Sequence, residues 1–179
     1  MSVKNKSIYA ILGILNILPS SGYDIKKYCD NVLSGFWNEN FGHIYPTLKK
    51  MLADGTIEIM SKGKNEKKIQ YKITSRGEQA LDHWFLEETK LQPVRSEFML
   101  KLFFSSHQPK EKVLQMIEKY KKVHQDKLEK YRVMEMDLEK GIEDISSERA
   151  KYIKATLRSG ILSHEATIRW CNETIEEIC

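Results

Sequence analysis

Apolar residues recur at helical spacing from the start of the chain: Ile8, Ile11, Leu12 and Leu15 fall close to one helical face, and Pro19 stands just past them. That spacing predicts a first helix over about Ser7 to Leu18. Ser21 followed by Asp24 is a capping-box pattern, in which each residue supplies the other's backbone with a missing hydrogen-bond partner. A second helix is predicted there, with Ile25, Tyr28, Cys29, Val32 and Leu33 inward until Ser34 and Gly35 break the pattern. A third covers about Gly42 to Asp54, with Ile44, Leu48, Met51 and Leu52 on its inner side, and Gly55 ends it. The period then changes from helical to alternating. Ile57 and Ile59 have polar neighbours, as do Ile69, Tyr71 and Ile73, and the polar stretch from Ser61 to Lys68 joins two half-buried strands into a hairpin. Ser75 and Glu78 repeat the capping-box pattern and open a fourth helix, with Ala80, Leu81, Trp84 and Phe85 on the core side.

The second half has no alternating pattern. Phe98, Leu100, Leu102, Phe103 and Phe104 suit one short helix, and Pro109 suits the first position of a long one that runs to about Lys140. A last helix is predicted from about Ser147 to Ile178. Such helices are each roughly 48 Å long, at about 1.5 Å per residue. Each carries an apolar seam near the coiled-coil period: Ile117, Tyr120, His124 and Tyr131 on the first, and Leu157, Ile161, His164, Ile168, Cys171 and Ile175 on the second. Two closures satisfy these seams. A second copy of the chain covers them, or the two helices fold on each other as an intramolecular hairpin. The first is the simpler for stripes this long, so these residues are assigned to a dimer interface. The fold class is therefore mainly α, with a winged helix-turn-helix over residues 1–90 followed by a long antiparallel two-helix dimerisation arm over 91–179.

Composition adds exclusions. Of 179 residues, 41% are hydrophobic and 30% charged, and no apolar run approaches the roughly 20 residues of a membrane span. Cys29, Cys171 and Cys179 are odd in number and lack Cys-x-x-Cys spacing, which argues against a disulfide framework and a zinc site. A cytoplasmic protein without cofactor or metal is expected. His43, His83, His107, His124 and His164 are scattered without a metal-ligand pair, and neither a Gly-x-Ser-x-Gly nor a phosphate loop occurs, so no enzyme is expected. His124 and His164 fall on the seams, where an interface role outweighs a catalytic one.

The net charge of +4 becomes informative once mapped. Residues 42–76 carry eight basic side chains against three acidic ones, a net +5. That window spans the third helix and the hairpin, the two elements with which a winged helix-turn-helix meets DNA. Lys49, Lys50, Lys62, Lys64, Lys67 and Lys68 are candidates for phosphate neutralisation, and Lys26 and Lys27 on the second helix join the DNA-binding set. Asn40, His43, Tyr45 and Thr47 are assigned to the solvent side of the early third helix, within reach of bases. Pro46 either fixes the start of that helix and the angle of Tyr45 or is a kink without a role. A winged-helix protein-interaction module on a coiled-coil scaffold, without DNA specificity, is the alternative.

Gly22-Tyr23-Asp24-Ile25, Gly42-His43-Ile44-Tyr45-Pro46-Thr47-Leu48, Asp54-Gly55-Thr56-Ile57 and Tyr71-Lys72-Ile73-Thr74-Ser75-Arg76-Gly77 stand in an order that resembles the PadR family of bacterial transcriptional regulators. The long remainder, headed by Phe98-Met99-Leu100-Lys101-Leu102-Phe103-Phe104, is similar to the subfamily with a virulence-activator-like C-terminal region. The resemblance implies a homodimer that binds double-stranded DNA at a pseudo-palindromic operator and represses, often at its own promoter. It places Tyr23 and Tyr45 near the DNA backbone or a base edge. It also implies a small aromatic effector, for which Trp37, Trp84 and Phe85 are candidate pocket residues, their other reading being a core between the two halves.

Overall fold

A computed structural model describes residues 6–61, 69–89, 95–140 and 146–179. The chain divides into two units, Met1–Leu91 and Gln92–Cys179. In the first, α1 (Ser7–Ile17), α2 (Gly22–Tyr28), α3 (Phe41–Ala53) and α4 (Ser75–Phe85) surround a small antiparallel sheet of β1 (Ser20–Ser21), β2 (Ile57–Ser61) and β3 (Gln70–Ile73). The strand order is β1-β3-β2. Ile57 lies opposite Ile73 and Ile59 opposite Tyr71, with an irregularity before Ser61. Ile11, Leu12, Leu15, Ile25, Ile44, Leu48, Met51, Ile57, Tyr71 and Leu81 form the core, so every helix and the sheet contribute to one apolar centre.

The sheet has a third strand that the hairpin pattern does not predict. Ser20 and Ser21 are extended because they pair with Tyr71 and Gln70, and two serines carry no periodicity of their own. β2 is also less buried than alternation suggests: Ile59 faces outward and only Ile57 is fully covered.

The capping box at the start of α2 forms as expected. The Asp24 amide donates to Ser21 Oγ at 3.2 Å and the Ser21 amide to Asp24 Oδ2 at 3.0 Å. The hydrogen bond from the Ser21 hydroxyl holds the Asp24 carboxyl below its ordinary range. Beyond Tyr28 the helix widens into a π-helical turn over Cys29–Leu33. The wider turn rotates the face, so Cys29 stays buried while Val32, expected inward, is exposed. At α4 the cap is Thr74 rather than Ser75: its Oγ1 accepts from the Gly77 amide and donates to the Gly55 carbonyl at 2.8 Å. Trp84 stacks on Tyr9 with ring centroids 4.8 Å apart, whereas Phe85, expected on the core side, is 70% exposed.

The second unit begins with α5 (Glu97–Phe103), capped by Ser96, and a short 3-10 turn over Ser105–His107. α6 (Lys110–Lys140) and α7 (Ser147–Ile178) follow. Pro109 stands one residue before α6, where its carbonyl accepts from the Lys112 and Val113 amides. The two long helices close on each other. Lys110 reaches the Cys179 carbonyl, Arg132 pairs with Glu165 and Glu139 with Lys154, an order that rises on one helix as it falls on the other, and His124 meets His164 between them.

Of the two closures of the seams, the intramolecular hairpin is the one formed within the chain. Ile117, Leu157, Ile161 and Cys171 are buried within one chain, and Tyr120, His124, Tyr131, His164, Ile168 and Ile175 are half-buried. A stripe states that it must be covered but not by which helix, and two stripes close in sequence cover each other first. At the foot of the hairpin Phe98 stacks on Tyr120 at 3.7 Å and meets Trp170 edge-on. Cys29 and Cys171 are free and buried, and Cys179 is free and exposed.

Midway along the hairpin His124 Nδ1 and His164 Nδ1 are 2.9 Å apart, between the rings of Tyr120 and Tyr131. One nitrogen must accept while the other donates, so at least one ring is neutral. Burial holds both imidazoles below their ordinary 6.5, with the charge of Lys127 adding to it and that of His164 acting on His124. Unfolded chains therefore bind more protons than folded ones as the pH drops below that ordinary value. The stabilisation is whole above about 6.5 and is lost as the pH falls through the lowered folded range. The urea midpoint of α6–α7 unfolding should fall between pH 7.5 and pH 5, and by less in His164→Gln; equal acid losses in both proteins would refute the role of the pair.

Candidate nucleic-acid interface

α3 starts where Asn40 caps it, the side-chain oxygen accepting from the His43 amide at 3.0 Å. Ile44, Leu48 and Met51 turn its inner stripe to the core. Thr47 belongs to the same stripe and is 5% exposed, which corrects its placement on the solvent side: positions 44, 47, 48 and 51 share one helical face. The outer face presents His43, Pro46, Lys49 and Lys50, all exposed. Pro46 lies in the second turn, where the missing N–H removes a single early hydrogen bond.

The N-terminal end of α3 carries an aromatic row. The Tyr23 ring from α2 lies 6.4 Å from Phe41, and Phe41 lies 5.9 Å from Tyr45, all near parallel. Tyr23 and Phe41 are exposed and Tyr45 is half-buried, and the Lys26 ammonium stands 5.9 Å from the Phe41 centroid. Tyr45 is seated on Gly22, where a Cβ would lie 2.7 Å from Tyr45 Cε1. The glycine thus sets how closely the tyrosine ring approaches α2. Phe41 was not singled out by sequence reasoning. Its signal was an aromatic residue beside the cap and outside the inner stripe.

The basic residues divide by what they touch. Lys26 is ion-paired with Asp30 and Lys72 with Glu58, whereas Lys27, Lys49 and Lys50 lie exposed on α2 and α3. Lys62, Lys64, Lys67 and Lys68 fall outside the described residues. Trp37, Trp84 and Phe85 make separate contacts: the Trp37 indole N–H donates to Glu39 Oε1 at 3.0 Å, while Phe85 leans on Trp84. In the second unit a groove of about 440 Å³ is lined by Leu100, Phe104, Val113 and Met116, with Lys101 and Lys112 beside them. Among the described residues no three His, Cys, Asp or Glu side chains converge as metal ligands, and no helix is long and apolar enough to cross a membrane.

Residues 11–83 match the family described as transcriptional regulator PadR-like, and residues 94–178 match the region described as virulence activator alpha C-term. The negative transcriptional regulator PadR of Bacillus subtilis (strain 168) is 39% identical over 101 residues, covering 55% of this chain and 56% of the relative. The alignment thus spans about half the length of that curated relative. Over the full fold, the crystal structure of Bacillus subtilis PadR in complex with operator DNA has a TM-score of 0.81 at 26% identity, covering 98% of both chains. The same protein in complex with p-coumaric acid has a TM-score of 0.79 at 27% identity, covering 95% of this chain and 96% of that one. With two matches in order along the chain and likeness over its whole length, the chain belongs to the PadR-like family of transcriptional regulators.

Proposed function

We propose that the chain is a sequence-specific DNA-binding repressor that acts as a homodimer on a pseudo-palindromic operator and is released by a small aromatic effector. The observation that carries this reading is the outer face of α3, where His43, Lys49 and Lys50 stand exposed beside the Tyr23–Phe41–Tyr45 row. A helix of this kind fits a major groove about 12 Å wide, with its N-terminal residues at base edges. His43 and Tyr45 are then the base-reading side chains. Lys27, Lys49, Lys50 and the wing residues Lys62, Lys64, Lys67 and Lys68 set the register by neutralising phosphates. Asn40 contributes by fixing the start of the helix, since its side-chain oxygen is committed to the cap.

Because the seams are covered within one chain, a second copy would dock on apolar side chains that the second unit leaves exposed. These are Leu100, Phe103 and Phe104 on and after α5, and Val133, Tyr152 and Leu162 on the long helices. Two such copies would place their recognition helices about 34 Å apart, one helical turn of DNA, or a small multiple. The relief by effector rests on the relative bound to p-coumaric acid. The apolar groove with Lys101 and Lys112 at its side suits an aromatic carboxylate better than Trp37, whose indole N–H is given to Glu39, or Trp84 with the exposed Phe85 beside it.

Footprinting on the gene's own upstream region, repeated with p-coumaric acid, tests operator and effector together. A protected palindrome is expected, and no preference over random duplex of equal length would overturn the reading. The double variant Lys49→Ala, Lys50→Ala should weaken binding to all sequences alike and flatten the salt dependence by about one unit of slope for each phosphate no longer neutralised. An unchanged salt slope would remove these lysines from the interface.

A further inference from the structure

From the arrangement around the start of α3 we infer that Glu39 positions His43 as a doubly protonated, proton-linked contact to DNA. The inference rests on the DNA-binding reading above and adds to it a residue that the sequence does not single out.

Glu39 immediately precedes the Asn40 cap, and its side chain is 3% exposed. Oε1 accepts the Trp37 indole N–H. Oε2 is buried and has no hydrogen-bond partner among the described residues. A buried carboxylate oxygen without a donor is costly, so its retention calls for a group that satisfies it in the working state. His43 Nδ1 lies 3.8 Å from that oxygen, too long for a hydrogen bond and close enough to become one with a small turn of the ring. The rest of the imidazole is open, the side chain being 69% exposed on the outer face of α3.

A neutral imidazole has a single N–H and can serve either Glu39 or an acceptor on DNA. An imidazolium has two. With Nδ1–H given to Glu39 Oε2, Nε2–H on the far side of the ring is left for a phosphate oxygen or the acceptor edge of a base. A carboxylate and a DNA acceptor then flank one cation, and the proton that completes the arrangement comes from solvent as the complex forms. The other charged groups near Glu39 do not compete for this role. Burial, with Glu39 and Asp30 adding to it, pushes the Cys29 thiol up to about 11, so it stays neutral, and Asp30 is committed to Lys26. The Asn40 side chain is held by the His43 backbone amide.

The test uses the full chain and a duplex from its own upstream region, with random duplex of equal length as reference. Affinity for the upstream duplex should rise as the pH falls from 8 to 6, by at most about tenfold per pH unit, the limit for one proton taken up. Calorimetry in two buffers of different ionisation enthalpy should report that uptake directly. His43→Gln keeps a polar side chain on an exposed site and should bind with a flat pH profile. Glu39→Gln keeps an acceptor for Trp37 but loses the charge, and should shift the rise to lower pH with its affinity at pH 8 nearly unchanged. Unaltered melting curves separate these effects from misfolding. Parallel pH profiles for the wild type and His43→Gln, with binding intact, would overturn the inference alone. Failure to bind the upstream duplex at any pH would overturn the DNA-binding reading and the inference with it.

Discussion

Replacing Gly77 with alanine should cost the first unit at least about 3 kcal/mol, the upper range for an overpacked core. A Cβ at this position would lie 2.2 Å from the Thr56 carbonyl oxygen, 2.7 Å from Ile73 Cγ1 and 3.1 Å from Leu12 Cδ2. Overpacking is tolerated when flexible side chains can yield, but the closest atom here is backbone. That carbonyl already accepts from the Thr74 amide at 3.2 Å, and the Gly77 amide donates to Thr74 Oγ1 at 3.2 Å. Moving α4 away from the sheet would therefore break its cap, a further loss of about 1 kcal/mol. Domains of this size have roughly 5–15 kcal/mol in all, so the variant should be largely unfolded in mild urea. Urea titration followed by circular dichroism measures it, and a loss below about 1 kcal/mol would show that the crowding relaxes freely.

Ile117→Ala should have the second largest effect, about 2–5 kcal/mol in the hairpin, because deleting a buried branched side chain removes its transfer energy and leaves a cavity. Ile117 is fully buried and clusters with Val113 and Cys171, with Tyr120, Trp170 and Ile175 packed around it. Ile117→Val should cost only about 0.5–1.5 kcal/mol, and Val123→Ala, at an exposed position of the same helix, within about 0.5 kcal/mol. Equal losses for Ile117→Ala and Val123→Ala would mean that the seam is not the core of this unit.

Most element boundaries were legible because they are written in local chemistry. Ser21 and Asp24 mark the start of α2 and form both hydrogen bonds of the capping box, and the apolar stripes of α6 and α7 run the full length of those helices. The misses arise where a partner decides. β1 exists through its pairing with β3, and Val32 turns outward because it lies in the π-helical turn. Thr47 looked like a reader of bases by residue type, while its position on the Ile44–Met51 stripe was the stronger signal. The seams were legible from their period, but period alone does not distinguish a helix of the same chain from one of another. At the candidate site, charge and polarity pointed to His43, Tyr45, Lys49 and Lys50. The buried Glu39 was invisible, because an isolated acidic residue before a helix reads as surface until its burial is known.

The distribution of the three thiols gives the molecule a built-in chemical clock for each of its units. Cys29 sits in the π-helical turn of the first unit and Cys171 in the seam of the second, both fully buried, with burial raising the pKa of each. A thiol in that condition has almost no thiolate at neutral pH and no path to an alkylating reagent, so it reacts only when its surroundings open. Cys179 is exposed and can be blocked first. Mass spectrometry of the two remaining labels then times the opening of the first unit and of the helical hairpin separately in the unmodified sequence, without an engineered probe in either.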